Sequence, residues 1–479
     1  MRGPETGILW LRRDLRLADN PALNEAVATC AQVLPIYIHC PEEEVPWAPG
    51  AASNWWLHRS LTALDQSLRE RGSRLAIERG ESLQTLVRVA RGVGATRVFW
   101  NRLYDPATRE RDARIKVALR GQGLECRSHK AALLFEPWEV RTGAGESYRV
   151  YSAFWRRCAP GLRELVPLAA PEGLPPAPEY PGTDLGVLGL LPRIPWDQGL
   201  RERWQPGEAA ALARARSFIA QGLAGYGQQR DWPAIAGTSS LSPYLHFGEI
   251  GPRQVLALIA EQHVDLQGPV EAYVREILWR EFAYHLLYHF PATTDQPLDP
   301  RFTRFPWRED RDGILLRAWQ RGRTGIPLVD AGMRELWRTG WMHNRVRMVV
   351  ASFFTKNLRL PWQQGARWFW DTLVDADLAS NTLGWQWSAG CGADAAPYFR
   401  IFNPVRQGER FDPEGAYVRR WCPELARLPA KYVHQPWSAP APVIQGAGVR
   451  LGLDYPHPVV DLGQSRAQAL DAFESIKVT

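Results

Sequence analysis

No two of the six cysteines (Cys30, Cys40, Cys126, Cys158, Cys391, Cys422) form a Cys-x-x-Cys pair. That absence argues against a zinc ribbon and a disulfide framework. Reduced, mostly buried thiols are the expected state, with no metal site. Only the short apolar run Ile8 to Leu11 precedes Arg12 and Arg13, so no signal-peptide core is expected. No run approaches the ~20 apolar residues of a membrane span. A cytoplasmic monomer is therefore the expectation. No Gly-x-Gly-x-x-Gly follows the first apolar run, so the usual dinucleotide fingerprint is missing. Neither a Ser-His-Asp arrangement, a His-Glu-x-x-His nor a Walker A loop offers another chemistry.

What the chain does have is tryptophan, 22 in 479 residues, several times the average share. Many stacking surfaces are implied, in core, cofactor pocket or base pocket. The net charge of +7 makes a polyanionic partner plausible without requiring one. A hydrophobic share of 45% and a charged share of 23% suit an ordinary globular protein of two or three domains.

The first 130 or so residues alternate short apolar runs with helical patterns. Strands are predicted over Ile8–Leu11, Val33–Ile38, Leu75–Glu78 and Arg97–Trp100, with a weaker fifth at Leu124–Ser128. Helices are predicted over Pro21–Cys30, Asn54–Arg71, Ser82–Arg91 and Pro106–Arg120. In the second, Leu57, Leu61, Leu64 and Leu68 make one apolar stripe. Such alternation predicts an α/β unit built on a doubly wound parallel sheet over residues 1–134. Residues 135–203 are rich in proline and glycine and read as a long connection. From 204 to 479 the patterns are helical, predicting an all-helical second domain.

Three stretches of that second part could carry chemistry. Gly237-Thr238-Ser239-Ser240-Leu241-Ser242 clusters hydroxyls and backbone N–H groups before a helix, which makes either an anion site or a simple helix cap. Glu276 and Arg280 are four apart on a helix predicted over Tyr273–His289, and read as an i,i+4 ion pair. In Trp368–Pro404, Asp377 and Asn381 would share a helical face that Trp385 extends, while Trp387 lies beyond Gly384 and can face another cavity. Polar groups beside tryptophans suit a flat, polar-edged aromatic ligand; an ordinary core with two aromatic anchors is the plainer alternative.

Gly384-Trp385-Gln386-Trp387, followed by Asp394-Ala395-Ala396-Pro397-Tyr398-Phe399-Arg400-Ile401-Phe402-Asn403-Pro404, resembles the flavin-and-DNA segment of the photolyase/cryptochrome family. The resemblance spans essentially the whole chain and points to a class I-like bacterial enzyme for cyclobutane pyrimidine dimers. It implies FAD as cofactor and ultraviolet-damaged DNA as partner, with dimers split by electron transfer from photoexcited reduced FAD. A blue-light photoreceptor without repair is the alternative.

By the same resemblance, Tyr226, Thr238, Ser239, Ser240, Leu241, Ser242, Arg347, Asp375, Asp377 and Asn381 would hold FAD. Ser240 stands where the family often has arginine. Glu276, Trp279, Arg280, Asn344, Arg345, Met348 and Trp387 would contact the dimer and DNA, with Glu276 stabilising the dimer's radical anion. Relatives that repair the other ultraviolet photoproduct carry histidines at the positions of Asn344 and Met348. Trp385, Trp362 and Trp307 would relay electrons from the surface, with Trp319 as a substitute for Trp307. Family N-terminal domains also hold a light-harvesting chromophore. Methenyltetrahydrofolate near Trp55 or Trp56 is one expectation, burial of both rings in the core the other, and a deazaflavin the alternative ligand.

Overall fold

The computed structural model describes residues 5–262, 267–394 and 399–477. Five strands, β1 (Thr6–Leu11), β2 (Gln32–His39), β3 (Ala76–Arg79), β4 (Ala95–Asn101) and β5 (Glu125–His129), form a parallel sheet in the order β3-β2-β1-β4-β5. The connecting helices are α1 (Pro21–Thr29), α2 (Ala51–Arg69), α3 (Ser82–Val93) and α4 (Pro106–Gly121). Each predicted strand and helix of this region is present within a few residues. α1 begins where Asn20 caps the backbone N–H of Leu23 and Pro21 fixes the first turn. All four leucines of the α2 stripe are buried.

The chain doubles back at β1, so β1 and β4 mark the switch point at whose carboxyl end such sheets bind ligands. In this chain that crevice is nearly filled. Arg12 pairs with Asp112, Arg13 with Asp105 and Arg111 with Asp112, and the cavity left beside Tyr37, His39 and Trp370 is about 50 Å³.

Residues 135–203 are not all irregular. They contain α5 (Tyr151–Cys158) and α6 (Gln198–Arg203). Tyr151, Phe154 and Cys158 of α5 are buried, and tertiary contact makes a helix that the sequence pattern does not announce. The helical part continues through α7 (Glu208–Gln221), α8 (Tyr226–Gln229), α9 (Ser242–His246), α10 (Pro252–Glu261) and α11 (Pro269–His289). After α12 (Ile314–Gln320) come α13 (Pro327–Thr339), α14 (Asn344–Ser352), α15 (Trp362–Thr372), α16 (Leu378–Ala389), α17 (Pro404–Phe411) and α18 (Ala416–Trp421).

Sheet and helices share one apolar core, running from Leu9 through Trp55, Trp56 and Trp204 to Tyr226 and Ile277. Polar groups bridge it: Trp55 donates to Asp197 (2.8 Å), Trp56 to Glu249 (3.1 Å), and Arg16 to the Gly248 carbonyl (2.8 Å). Burial pushes the Glu249 carboxyl up to about 8, although Ser60, Trp56 and the Gly207 N–H all donate to it. Trp55 and Trp56 are 1% and 0% exposed, so no chromophore stacks on either ring, and the core alternative is the one realised.

Candidate functional site

Asp377 does not lie on the helix with Asn381. It is the N-cap of α16, its carboxylate accepting from the Ser380 N–H (2.8 Å). Burial alone would raise Asp377, but His246, Arg280 and the Tyr284 hydroxyl hold it below the usual carboxylate range. Asn381 sits one turn on and donates from Nδ2 to the Ala366 carbonyl (3.1 Å), which fixes the amide with its oxygen turned the other way. Asp375, two residues before the cap, receives both Arg347 (2.8 and 3.0 Å) and the Ser242 hydroxyl (2.6 Å). Arg347 is further held by the Met342 carbonyl (2.7 Å).

Trp385 is 2% exposed, ringed by Phe369 (5.0 Å between centroids), Phe354 (5.6 Å) and Trp319 (6.1 Å). Its indole N–H is buried and has no partner among the described residues. α15 reaches this ring only because residue 365 is glycine: a methyl there would lie 2.1 Å from an indole carbon. Trp362 is buried at the start of α15, while Trp307 is half-buried against Phe305 (4.5 Å). Trp307 and Trp362 line one surface cleft of about 620 Å³. Trp319 cannot replace Trp307 as the outermost ring. It is 0% exposed and lies edge-on against Trp385, filling the core behind it.

The loop Thr238–Leu241 stands beside Asp375. Backbone N–H groups of Thr238, Ser239 and Ser240 donate to no other described residue, and Ser240 has a left-handed backbone (φ 51°). Consecutive free N–H groups with one residue in this conformation make an anion-binding concavity. Tyr226 is buried behind the loop, edge-on to Tyr273 (5.2 Å). An anion cradle, a carboxylate–guanidinium pair and a buried, unpartnered indole N–H form a donor set that fits a flavin dinucleotide.

Glu276 does not pair with Arg280. Arg280 turns to the Ala132 carbonyl (2.8 Å) and the Tyr284 ring (4.9 Å), and Glu276 takes Arg230 instead (2.7 Å). The next residue, Asp231, pairs with Arg345 (2.8 Å), and Arg345 stands two before Arg347. Glu276–Arg230 and Asp231–Arg345 thus branch from one turn, and the helix that carries Arg345 also carries Arg347, paired with the buried Asp375. Trp279 stacks face to face on Tyr151 (3.8 Å, 11°), so one ring face is covered and the indole is held rigid. Asn344 is exposed, Met348 is half-buried one turn on, and Trp387 is half-buried, tilted against Phe402 (6.3 Å). Ala395 to Tyr398 of the distinctive run lie outside the described residues.

Sequence reasoning missed the partners: Arg230 and Asp231 for the ion pairs, Tyr151 for the stack, Tyr284 for Asp377. The adjacent opposite charges at Arg230-Asp231 were a usable signal. Tyr151 had none, because it sits in the segment read as a connection.

A family model described as DNA photolyase matches residues 7–176, and one described as the FAD binding domain of DNA photolyase matches 273–475. A deoxyribodipyrimidine photo-lyase of Agrobacterium fabrum is 45% identical over 98% of both chains. Cryptochrome-1 of Arabidopsis thaliana is 41% identical over 98% of this chain and 70% of its own length. A bacterial class III photolyase from Agrobacterium tumefaciens superposes with a TM-score of 0.95 at 45% identity, covering 100% of this chain and 99% of that one. The class I-like expectation therefore gives way to likeness with a class III enzyme. With models covering both halves and relatives matching end to end, the chain belongs to the DNA photolyase family.

Proposed function

We propose that this chain is a deoxyribodipyrimidine photolyase, a light-driven lyase that splits cyclobutane pyrimidine dimers in DNA. The observation that carries the reading is the set of three ion pairs that runs from Glu276 to Asp375 in the cofactor cradle by way of the neighbours Arg230 and Asp231 and of Arg345 and Arg347 on one helix. FAD, when bound and reduced, supplies the photoexcited electron and takes it back. Tyr226, Thr238 to Ser242, Arg347, Asp375, Asp377 and Asn381 would hold it.

The remaining chemistry belongs to the chain. A dimer must leave the helix stack to be reached. Trp279, backed by Tyr151, offers its open face to the extruded bases, and Trp387 stands across from it in the proposed pocket. Glu276, anchored by Arg230, directs its carboxyl to the dimer's polar edge and stabilises the added negative charge there. Asn344 and Met348 shape the floor. Arg345 holds polar edges or phosphates, while Arg280, turned inward to the Ala132 carbonyl and the Tyr284 ring, braces the helix behind Glu276. Trp385, Trp362 and Trp307 carry electrons inward from the cleft, since indoles can be oxidised and refilled where phenyl rings cannot.

A second chromophore fits better on the surface than in the crevice beside Arg12 and Arg111, whose residual 50 Å³ is too small for a fused ring system. Trp337 and Trp368 lie parallel (5.9 Å, 4°), and Trp337 is 62% exposed. That pair is a stacking platform for a planar heterocycle such as methenyltetrahydrofolate. Trp368 belongs to α15, the helix whose Gly365 touches Trp385, so captured light has a short path to the cofactor. Monomeric action in a reducing cytosol is consistent with six unbridged cysteines, and no helix among the described residues is long and apolar enough to cross a membrane.

The test is loss of a thymine dimer from an oligonucleotide under blue light, using FAD-loaded, photoreduced protein. Loss in light and not in darkness, strongly reduced in Glu276→Ala, is the expected result. No loss despite bound, reduced FAD would overturn the proposal in favour of a photoreceptor.

A further inference from the structure

Two large apolar residues beside the rim have no role in that mechanism. Trp232 is 40% exposed and Ile235 is 46% exposed. Trp232 makes no ring contact and no side-chain hydrogen bond with any described residue, a costly exposure for an indole that packing does not explain. The loop that presents it is nevertheless rigid. Arg230 is tied to Glu276 (2.7 Å) and Asp231 to Arg345 (2.8 Å) on one side. The Ile235 N–H closes a turn onto the Trp232 carbonyl (3.4 Å), and Arg420 donates to the Ala234 carbonyl (3.2 Å). Gly237 ends the loop in close approach to residue 229, where a methyl would lie 2.6 Å from the Gln229 carbonyl oxygen. An exposed aromatic on a fixed loop is a contact prepared in advance.

The surroundings name the partner. Arg345 lies over the Phe411 ring (4.6 Å), and Arg410 of the same helix flanks that ring (5.0 Å). Arg406, Arg410 and Arg420 are exposed and, among the described residues, carry no ion pair. Exposed guanidinium groups without carboxylate partners, one of them tied to the same loop as the protruding apolar side chains, match a nucleic acid, with phosphates on the rim and a base face on the ring.

We propose that Trp232, supported by Ile235, is a wedge that occupies the gap left in the duplex when the dimer is extruded, stacking on the base exposed there. Filling the gap offsets the lost stacking and holds the dimer outside the helix. The inference rests on the photolyase reading and adds to it a reason to bind duplex DNA.

The experiment compares unmodified protein, Trp232→Ala and Trp232→Phe, all FAD-loaded. Each is titrated in the dark with a dimer in a single strand, in a matched duplex, and in a duplex whose bases opposite the dimer are mismatched; repair of the same samples is then measured in light. Trp232→Ala should weaken binding to the matched duplex roughly tenfold, in line with one lost base stack. Its loss on the single strand and on the pre-opened duplex should be at least several-fold smaller, and Trp232→Phe should recover most of the affinity. Equal losses on all three substrates, or no loss on any, would overturn the wedge while light-driven repair by the unmodified protein still stood. Absence of repair by the unmodified protein would instead remove the photolyase reading, and the wedge with it.

Discussion

Gly365→Ala offers a sharp test of how the site is built. In the interior of a helix, alanine is favoured over glycine by roughly 1 kcal/mol. At residue 365 the added methyl would lie 2.1, 2.5 and 2.7 Å from three carbons of the Trp385 ring, well inside contact distance. The indole is 2% exposed and enclosed by Phe369, Phe354 and Trp319, so it cannot swing aside without moving a second ring. Overpacking of a tight core costs about 1–3 kcal/mol, and this enclosure places the cost near the upper end. The balance is a net destabilisation of about 2 kcal/mol. Gly384→Ala is the control: it lies in α16, exposed, with nothing near its added methyl, and should stabilise by up to ~1 kcal/mol. Urea unfolding of FAD-free and FAD-loaded protein gives both numbers. On the proposed placement of Trp385 next to the flavin, the FAD-loaded form of Gly365→Ala should lose more, and flavin photoreduction under blue light should slow. Equal stabilisation by both alanines, with photoreduction unchanged, would refute the account of Trp385 as a ring wedged against Gly365.

Other consequences can be checked separately. Asp375→Asn leaves Arg347 without its carboxylate; a lost charged hydrogen bond is worth about 2 kcal/mol, so FAD retained through gel filtration should fall roughly thirtyfold in affinity, and unchanged retention would count against the cradle. Lys356 is buried over the Phe399 ring (3.7 Å), and burial pushes it down to about 7 from an ordinary 10.5. Between those values the unfolded chain binds more protons than the folded one, so stability should rise with pH across that window. Urea midpoints relative to Lys356→Met should climb accordingly, and a constant difference would contradict the assignment. The logarithm of DNA affinity should fall linearly with the logarithm of salt concentration, and Arg406→Ala should lower that slope by about 1 if the exposed guanidinium contacts a phosphate.

The sequence alone determined the sheet, because buried parallel strands are short apolar runs between amphipathic helices and Leu57, Leu61, Leu64 and Leu68 can face only one way. It also marked the segments proposed to carry the cofactor and the damaged base, since Thr238–Ser242, Glu276–Arg280 and Asp375–Trp387 are local patterns. Tertiary structure decided the pairings. Glu276 and Arg280 sit at ideal helical spacing, yet Arg280 finds a carbonyl and a tyrosine ring, and Glu276 finds Arg230 from a loop some forty-six positions earlier. Trp307 and Trp319 look interchangeable in sequence, and only packing puts one at the edge of a surface cleft and the other behind Trp385. Helix and strand follow from interactions a few residues apart. Which charge meets which, and which indole meets solvent, follows from contacts between distant segments, which no local pattern records.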